Sequence, residues 1–213
     1  MSTAQDTDRV YALLADGTTV EIRPAGPDDF GAVKAMHQAM SPDNLYLRFF
    51  NISRLAAETE ARRICRNPAP GNVALLALAG HEVVGVASYV LLGEHAHQAE
   101  VAIAVADRMH HRGIATLLLE HLVSYARSHQ ITTFKAETLT ENKAMLNVFA
   151  DAGLPVERHY ADGVFKLTFP LPSEDADPTL DSYLNAVADR ESRAEVASLR
   201  HVLAPESVAV IGA

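Results

Sequence analysis

The segment His110-His111-Arg112-Gly113-Ile114-Ala115-Thr116 combines basic side chains with a glycine between an apolar stretch and a stretch of helical spacing. The first N–H groups of a helix have no partner inside it and attract anions. A glycine lets the backbone come close to a bulky ligand. We therefore predict an anion-binding loop, with the basic side chains and the Thr116 hydroxyl as additional donors. The alternative is a glycine required only for packing, and the loop matches neither a P-loop nor a dinucleotide-binding pattern.

The apolar stretch before this loop, residues 99–106, is typical of a strand with two unequal faces. One face carries β-branched side chains, whereas the other carries the carboxylate of Glu100 followed only by alanines at positions 102, 104 and 106. Methyl groups leave room for a slender ligand beside the backbone. The alternative is that a helix packs closely on the alanines.

Several further elements must position these two features. Hydrophobic periodicity predicts helices at 30–40, 114–128 and 142–152, with 44–65 forming one helix or two. It predicts strands at 18–23, 73–78, 82–92, 99–106, 132–139, 156–160 and 164–169. The joints Gly80-His81 and Asp162-Gly163 are short enough for antiparallel hairpins, while the strand–helix–strand order of 99–139 favours a parallel pair through a right-handed crossover. The predicted class is α+β, with a mixed, mostly antiparallel sheet flanked by helices.

Composition excludes several classes of protein. The chain has 213 residues, a formal net charge of −9 and one cysteine, Cys65. One cysteine allows neither an internal disulfide framework nor a cysteine-only metal site. The negative charge argues against a nucleic acid or an anionic membrane as partner. No apolar run approaches the ~20 residues of a membrane span, and the first ten residues lack the features of a secretory signal, so we expect a cytoplasmic protein.

A change of composition near residue 171 predicts a domain boundary. The run from Pro170 to Pro178 is rich in proline and acidic residues, as linkers often are. Residues 1–171 contain all the features described above. Residues 172–213 are more acidic and contain an amphipathic helical pattern over 181–201.

Two segments of the first domain resemble the acyl-CoA-binding segments of the GNAT superfamily of N-acyltransferases. AEVAIAVADRMHHRGIATLLLEHL resembles the segment containing Gln/Arg-x-x-Gly-x-Gly/Ala, which here reads His110-x-x-Gly113-x-Ala115. ETLTENKAMLNVFADAGL resembles the second segment, with Asn142 at its asparagine and Gly153-Leu154 at its closing Gly-Phe. The resemblance covers about residues 18–170. It implies the GNAT fold, in which the parallel strands 99–106 and 132–139 splay apart.

The resemblance also implies acetyl-CoA as cosubstrate, without a metal. The pantetheine arm would pair with the backbone of one strand, and the diphosphate would lie on the amides of residues 111–116. The implied binding residues are Ile103, Ala104, Val105, His110, His111, Arg112, Gly113, Ile114, Ala115, Thr116, Asn142 and Phe149. Two of these depart from the family. His110 replaces the usual glutamine or arginine, and Phe149 stands where a tyrosine often protonates the leaving thiolate.

The acceptor amine needs a base. A lysine with a pKa near 10.4 is almost entirely protonated at pH 7, and a positioned base typically contributes 10²–10⁴-fold to the rate. Glu100 matches the glutamate that serves as base in the lysine-acylating branch of the family. We expect it to lie between apolar strands, and the alternative is a surface glutamate at a strand end. Glu137, in the neighbouring strand, is the reserve candidate.

Two weaker patterns have ordinary explanations. His95 and His97 alternate as metal ligands on a strand can, but no carboxylate or cysteine is placed to complete the set, so a solvated loop is preferred. Arg62, Arg63 and Arg66 form a basic cluster. We interpret it as a solvated helix face, with contact to an acidic protein partner as the alternative.

The end of the sequence resembles a different family. Residues 203–213 are similar to the first strand and turn of the CoA-binding domain in NDP-forming acyl-CoA synthetase homologues. We therefore expect the sequence to be a piece of a longer protein, the alternative being a natural C-terminal strand.

A GNAT domain before such a domain is the arrangement of bacterial Pat-type protein lysine acetyltransferases, which Ser41–Asn51 (SPDNLYLRFFN) also resembles. The resemblance implies an acyl-CoA synthetase as protein substrate, inactivated by acetylation of its active-site lysine. It also implies that the appended domain senses acyl-CoA and regulates the catalytic one. Two alternatives stay open: a GNAT enzyme for a small amine, and a non-catalytic acyl-CoA-sensing module.

Overall fold

The structure is a computed structural model that describes residues 9–50, 54–66, 71–93, 97–173 and 178–203. Within these ranges the strands are β1 (Val10–Leu13), β2 (Thr19–Pro24), β3 (Asn72–Ala79), β4 (Glu82–Leu91), β5 (Gln98–Val105), β6 (Thr133–Leu139), β7 (Glu157–Ala161) and β8 (Val164–Pro170). The helices are α1 (Phe30–Gln38), α2 (Pro42–Phe49), α3 (Arg54–Ile64), α4 (Ile114–Ser128), α5 (Lys143–Asp151) and α6 (Pro178–Leu203).

The described strands form one mixed sheet in the order β1-β2-β3-β4-β5-β6-β8-β7. Both predicted hairpins are confirmed, as β3 pairs with β4 and β7 with β8 in antiparallel register. The predicted parallel pair, β5 with β6, is also confirmed. The α+β class and the mostly antiparallel sheet therefore stand as predicted, and the segment 44–65 divides into two helices.

The parallel pair is short. Only Gln98, Ala99 and Glu100 of β5 face partners in β6, the last of these being Lys135. Beyond that point β5 continues to Val105 and β6 to Leu139 without pairing to each other, so the sheet opens between them. This is the splay that the resemblance implied, and it leaves backbone donors and acceptors of β5 available to a ligand.

Helices cover both faces of the sheet. Helix α4 packs so closely on β4 that a Cβ added to Gly85 would lie 2.8 Å from Ile114 Cγ2 and 3.0 Å from Leu118 Cδ1. Val105 faces Gly85 across the β4–β5 register, so the β-branched side of β5 lies on the α4 face. On the opposite face, Arg63 of α3 donates a hydrogen bond to Ser88 of β4 at 3.0 Å, and this is the face that Glu100 shares.

Helix α6 packs on the first domain, although the sequence assigned it to the appended segment. The buried Tyr183 side chain donates from its hydroxyl to the Glu120 carbonyl at 3.2 Å. Ser182 and Ala186 cover Gly153, and Ala197 and Ser198 cover Gly17. Residues 204–213, in which the sequence predicted a further strand, lie outside the described residues. No helix in the described part of the chain combines the length and apolar character needed to span a bilayer.

Candidate active site

A cavity of about 710 Å³ occupies the opening between β5 and β6. Its walls come from β5, the loop before α4, β6, α5, α2 and α6. Twelve residues predicted from the sequence as site residues line it, together with the reserve candidate Glu137: Glu100, Ile103, Ala104, Val105, His110, His111, Gly113, Ile114, Ala115, Thr116, Asn142 and Phe149. The structure therefore brings these residues together in one place, while their roles in binding and catalysis stay predictions.

Arg112 is the predicted binding residue that points elsewhere. Its guanidinium lies 3.1 Å from a carboxylate oxygen of Asp16, in the turn between β1 and β2. Its carbonyl accepts a hydrogen bond from Ala15 N–H at 3.2 Å. Arg112 therefore fastens the loop to the β1–β2 turn, so that the loop backbone rather than this side chain faces the cavity.

The loop before α4 contains two residues with left-handed backbone. Both His111, with φ +62°, and Gly113, with φ +85°, adopt the left-handed region, which is unusual for a histidine. The first backbone bond of α4 runs from Leu117 N–H to the Gly113 carbonyl at 2.9 Å. The amides at the very start of the helix therefore have no helical acceptor, and the positive end of the helix dipole adds to their attraction for phosphate.

His110 ties this loop to the open edge of β5. Its Nε2 lies 3.0 Å from the carbonyl oxygen of Val105. Because a carbonyl can only accept, the proton of this hydrogen bond belongs to Nε2. The histidine that departs from the family pattern thus has a supporting contact inside the protein, and its Nδ1 remains for other partners.

Asn142 and Phe149 hold the opposite wall, on α5. Asn142 caps that helix, because its Oδ1 accepts a hydrogen bond from Met145 N–H at 3.1 Å. Phe149 is buried and packs on Phe169, with ring centroids 4.9 Å apart. The wall at Phe149 is therefore apolar where the family often has a tyrosine hydroxyl.

Glu100 lies at the point where β5 and β6 separate, in register with Val90 of β4 on one side and Lys135 of β6 on the other. Its side chain is exposed to the cavity and solvent. The expectation of a carboxylate enclosed between apolar strands is therefore wrong. The reason is geometric, because the pairing of β5 with β6 ends at this residue and leaves its side chain exposed.

A network of charged side chains lies on the same face of the sheet as Glu100. Arg63 binds Glu60 through two hydrogen bonds of 2.8 and 2.7 Å and reaches Ser88 at 3.0 Å. Arg48, which lines the cavity, donates to Glu60 at 2.8 Å and lies over the ring of Phe49 at 4.9 Å. Glu60 thus joins α2 to α3 and holds two guanidinium groups beside the cavity.

Electrostatics within this network favour the charged form of Glu60. Burial would raise the pKa of Glu60, but the hydrogen bond from Arg63 and the charge of Arg48 outweigh it and lower that pKa. Burial lowers the pKa of Arg48, an effect opposed by the carboxylates of Glu60 and Glu100. The negative charge of Glu100 also acts on Arg63. Glu100 is therefore electrostatically coupled to both arginines.

The sequence missed this network. Its interpretation of Arg62, Arg63 and Arg66 as one solvated face fits the exposed Arg62 and Arg66, but Arg63 turns to Glu60 and the sheet. The i, i+3 spacing of Glu60 and Arg63 was the available signal. Nothing in the spacing of Arg48 and Glu60 predicted their contact, because it forms across the connection of two helices.

The remaining candidates have less defined surroundings. Glu137 is exposed, with its carboxylate 4.0 Å from Lys166 Nζ. His97 Nδ1 lies 2.9 Å from the Gln130 carbonyl, and His95 lies outside the described residues. Among the residues that the structure describes, no group of three or more histidine, cysteine or carboxylate side chains is placed to hold a metal ion.

Helix α6 supplies a wall that the sequence did not predict. Ala186, Arg190 and Arg193 line the same cavity as the loop before α4. Arg190 forms a two-pronged ion pair with the buried Glu120 of α4, in which Nε lies 2.7 Å from Oε1 and Nη2 contacts Oε2. Burial raises the pKa of Glu120, and the Arg190 charge opposes this rise.

Comparison with known proteins agrees with this geometry. The profile of the Acetyltransferase (GNAT) family matches residues 35–154, more than half of the chain. The crystal structure of the GNAT domain of S. lividans PAT is 32% identical, with 79% of this chain and 99% of that chain covered and a TM-score of 0.73. Mycobacterium smegmatis RimJ in complex with CoA-disulfide is 17% identical, with 85% and 94% covered and a TM-score of 0.58, which shows a likeness of fold. A cAMP-binding acyltransferase from Mycobacterium smegmatis is 22% identical, with 89% of this chain and 55% of that chain covered and a TM-score of 0.55.

The splayed strands, the loop before α4 and the cavity between them are those of an N-acyltransferase. The chain belongs to the GNAT acetyltransferase family. It is accordingly an enzyme that transfers an acetyl group from acetyl-CoA to an amine. The residues present fit that cosubstrate, because the cavity combines an unpaired strand edge with helix-terminal amides and cationic side chains.

Proposed function

We propose that the chain is a protein lysine Nε-acetyltransferase of the cytoplasm. We further propose that its acceptor is the active-site lysine of an AMP-forming acyl-CoA synthetase, which acetylation would inactivate. The observation that carries the proposal is the exposed position of Glu100 at the open end of the cavity. An acceptor lysine on a folded protein can reach a carboxylate there, whereas a small amine gains most from a closed pocket.

Exposed apolar side chains in and after α2 support a macromolecular acceptor. Tyr46 and Phe50 of the α2 region and Leu55 at the start of α3 are large apolar side chains exposed to solvent. Phe50 also lines the cavity. Exposed apolar and aromatic side chains are typical of protein contact surfaces. The 32% identity with the GNAT domain of S. lividans PAT is consistent with this choice of substrate class.

The proposed reaction uses Glu100 as general base. Its carboxylate accepts a proton from the lysine ammonium, directly or through one water, and the freed amine attacks the thioester carbonyl. The attacking nitrogen of the tetrahedral intermediate then loses its second proton to water, and the intermediate collapses with cleavage of the C–S bond, giving the neutral amide and the thiolate of CoA. Lys135 lies opposite Glu100 in the last facing pair of β5 and β6.

Departure of the thiolate needs little help from the protein. A free thiol has a pKa near 8.5, so its anion is a far better leaving group than an alkoxide or an amide. Phe149 offers no proton at the position where the family often has tyrosine. We infer that either the thiolate leaves as the anion or a group other than Phe149 protonates it.

The domain division remains part of the proposal. We assign catalysis to residues 1–171, with residues 172–213 leading into an acyl-CoA synthetase-like CoA-binding domain that would sense acyl-CoA. Helix α6 of the second segment packs on Gly153 and Gly17 and lines the cavity, so this segment also contacts the catalytic unit.

Transfer of radiolabelled acetyl from acetyl-CoA to a purified AMP-forming acyl-CoA synthetase tests the proposal. We expect label on the synthetase and loss of its activity, and no label when its active-site lysine is replaced by arginine. Labelling of a small amine but of no synthetase would instead indicate a small-molecule acetyltransferase. CoA binding without transfer to any acceptor would indicate an acyl-CoA-sensing module.

A further inference from the structure

Helix α6 places two arginines on the cavity wall beside the loop before α4. Arg190 and Arg193 both line the cavity, as do His111 and Gly113 of that loop. The family profile ends at residue 154, well before α6 begins. The two side chains therefore lie outside the part of the chain that the profile matches, although they line the same cavity.

The two arginines differ in their partners. Arg190 is neutralised by Glu120, which is buried and binds it through both carboxylate oxygens. Arg193 is exposed, and its Nε donates to the backbone carbonyl of Asp189 at 3.0 Å. Within the described ranges no carboxylate forms an ion pair with Arg193. Arg193 therefore contributes to the cavity wall a positive charge that no carboxylate of the described residues neutralises.

The position of α6 is fixed by close backbone contacts on either side of these arginines. A Cβ on Gly153 would lie 2.8 Å from Ala186 Cβ and 2.9 Å from the Ser182 carbonyl oxygen. A Cβ on Gly17 would lie 2.6 Å from Ser198 N. At both glycines α6 packs so closely that no side chain would fit. The position of α6, and with it that of Arg193 in the cavity wall, is therefore fixed.

We propose that α6 is a wall of the acyl-CoA site and that Arg193 binds a phosphate group at the nucleotide end of CoA. A guanidinium makes paired hydrogen bonds with phosphate oxygens, and its fork suits them better than a point charge does. The ion pair between Glu120 and Arg190 connects α6 to α4 and so positions α6 for this contact. The inference rests on the acyl-CoA binding common to the family and is independent of the lysine acceptor proposed above.

Equilibrium binding of three ligands to the full chain tests this assignment. The ligands are CoA, 3′-dephospho-CoA and pantetheine, the last without any phosphate, with calorimetry for the first two and a ligand-observed NMR titration for the third. The variants are Arg193→Ala and Arg193→Glu. The matched control is Arg158→Ala, which removes the same charge from an exposed position on β7.

We expect Arg193→Ala to weaken CoA binding about fivefold at low salt, as loss of an exposed charge-assisted contact does. Arg193→Glu should weaken it further, the difference should shrink at high salt, and pantetheine binding should not change. An effect that disappears with 3′-dephospho-CoA assigns the contact to the 3′-phosphate, and an effect that persists assigns it to the diphosphate. Equal weakening of CoA and pantetheine, or an equal effect of Arg158→Ala on CoA, would overturn the proposal.

Discussion

Glu100 and Lys135 are the last facing residues of β5 and β6, and the two strands separate immediately beyond them. The carboxylate proposed as base therefore lies at the fork of the sheet. This position gives it access to the cavity between the strands and to solvent at the same time. In the proposed reaction an acceptor approaches from outside, and the thioester would lie along the unpaired edge of β5.

Replacement of Glu100 by glutamine tests its role as base. The amide keeps the shape of the side chain but cannot take the proton of the lysine ammonium. We expect turnover near neutral pH to fall by about 10²–10⁴-fold, with CoA affinity unchanged. Initial rates of acetyl transfer and calorimetric binding of CoA measure the two quantities.

The same substitution at the reserve position separates the candidates. Glu137 lines the cavity from β6, so Glu137→Gln removes the same charge on the other side of the fork. We expect it to lower turnover much less than Glu100→Gln. Full turnover in Glu100→Gln, together with loss in Glu137→Gln, would transfer the role of base to Glu137.

His37 should make the stability of the protein depend on pH. Burial lowers its pKa from 6.5 to about 4, with the charge of Arg48 acting in the same direction. The backbone of Ala57 opposes this weakly, and neither ring nitrogen makes a well-aligned hydrogen bond. Between about pH 6.5 and pH 4 the unfolded chain takes up a proton that the folded chain does not, so stability falls as the pH falls through this window.

The size of the effect follows from the shift of the pKa. A lowering of this size amounts to about 3 kcal/mol of stability present at neutral pH and lost by about pH 4. His37→Leu removes the titrating group, and denaturant unfolding at a series of pH values measures the difference. We expect the variant to lose less stability than the parent on acidification, and parallel curves for the two proteins would contradict the assignment.

The ion pair between Glu120 and Arg190 can be tested by comparing a single with a double substitution. Arg190→Ala leaves a buried carboxylate without its partner, which typically costs 3–5 kcal/mol. We expect a loss of about 3 kcal/mol in the free energy of unfolding. Replacing both residues by leucine should recover most of it, because no uncompensated charge remains. Equal losses in the single and the double variant would show that the pair does not act as a unit.

Gly153 and Gly163 form a matched pair for testing the contact of α6. Both have a left-handed backbone, with φ +70° and +84°, so alanine costs about 1–2 kcal/mol of strain at either position. Only at Gly153 would the new Cβ also meet α6, whereas at Gly163 no atom lies within 4 Å. We expect Gly153→Ala to destabilise the protein by about 1–3 kcal/mol more than Gly163→Ala.

The same two variants also show whether the position of α6 affects CoA binding as well as stability. Displacing the helix at Gly153 moves Arg193 away from the cavity, so CoA affinity should fall in Gly153→Ala. It should stay at the parental value in Gly163→Ala. Equal CoA affinity in both variants, measured by calorimetry, would show that α6 does not need its contact with Gly153.

The sheet could be predicted because its signals are local. Gly80 and Gly163 both have positive φ in the structure, as the short hairpin joints at these glycines required. Strand β1 escaped prediction because it has only four residues, of which Val10 and Tyr11 are exposed, so no burial pattern marked it. It becomes a strand by pairing with β2, a contact between segments that periodicity cannot report.

The site divides in the same way. The loop from His110 to Thr116 could be predicted because a strand, a glycine and a helix start follow one another in the chain. The Arg48–Glu60 contact and the cavity wall at Arg193 could not, because each joins helices whose relative positions depend on tertiary packing. The apolar surroundings expected for Glu100 were wrong for a related reason, since strand pairing ends at that residue.

Helix α6 has 26 residues, which corresponds to a rod about 39 Å long. Arg193 lies ten residues from its last residue, Leu203, so about 15 Å of helix continues beyond the arginine. A ligand that binds Arg193 therefore also restricts the orientation of the C-terminal part of α6. By thermodynamic reciprocity, a partner that binds the C-terminal end of α6 and changes its orientation would change the affinity of the cavity for its ligand by the same coupling free energy.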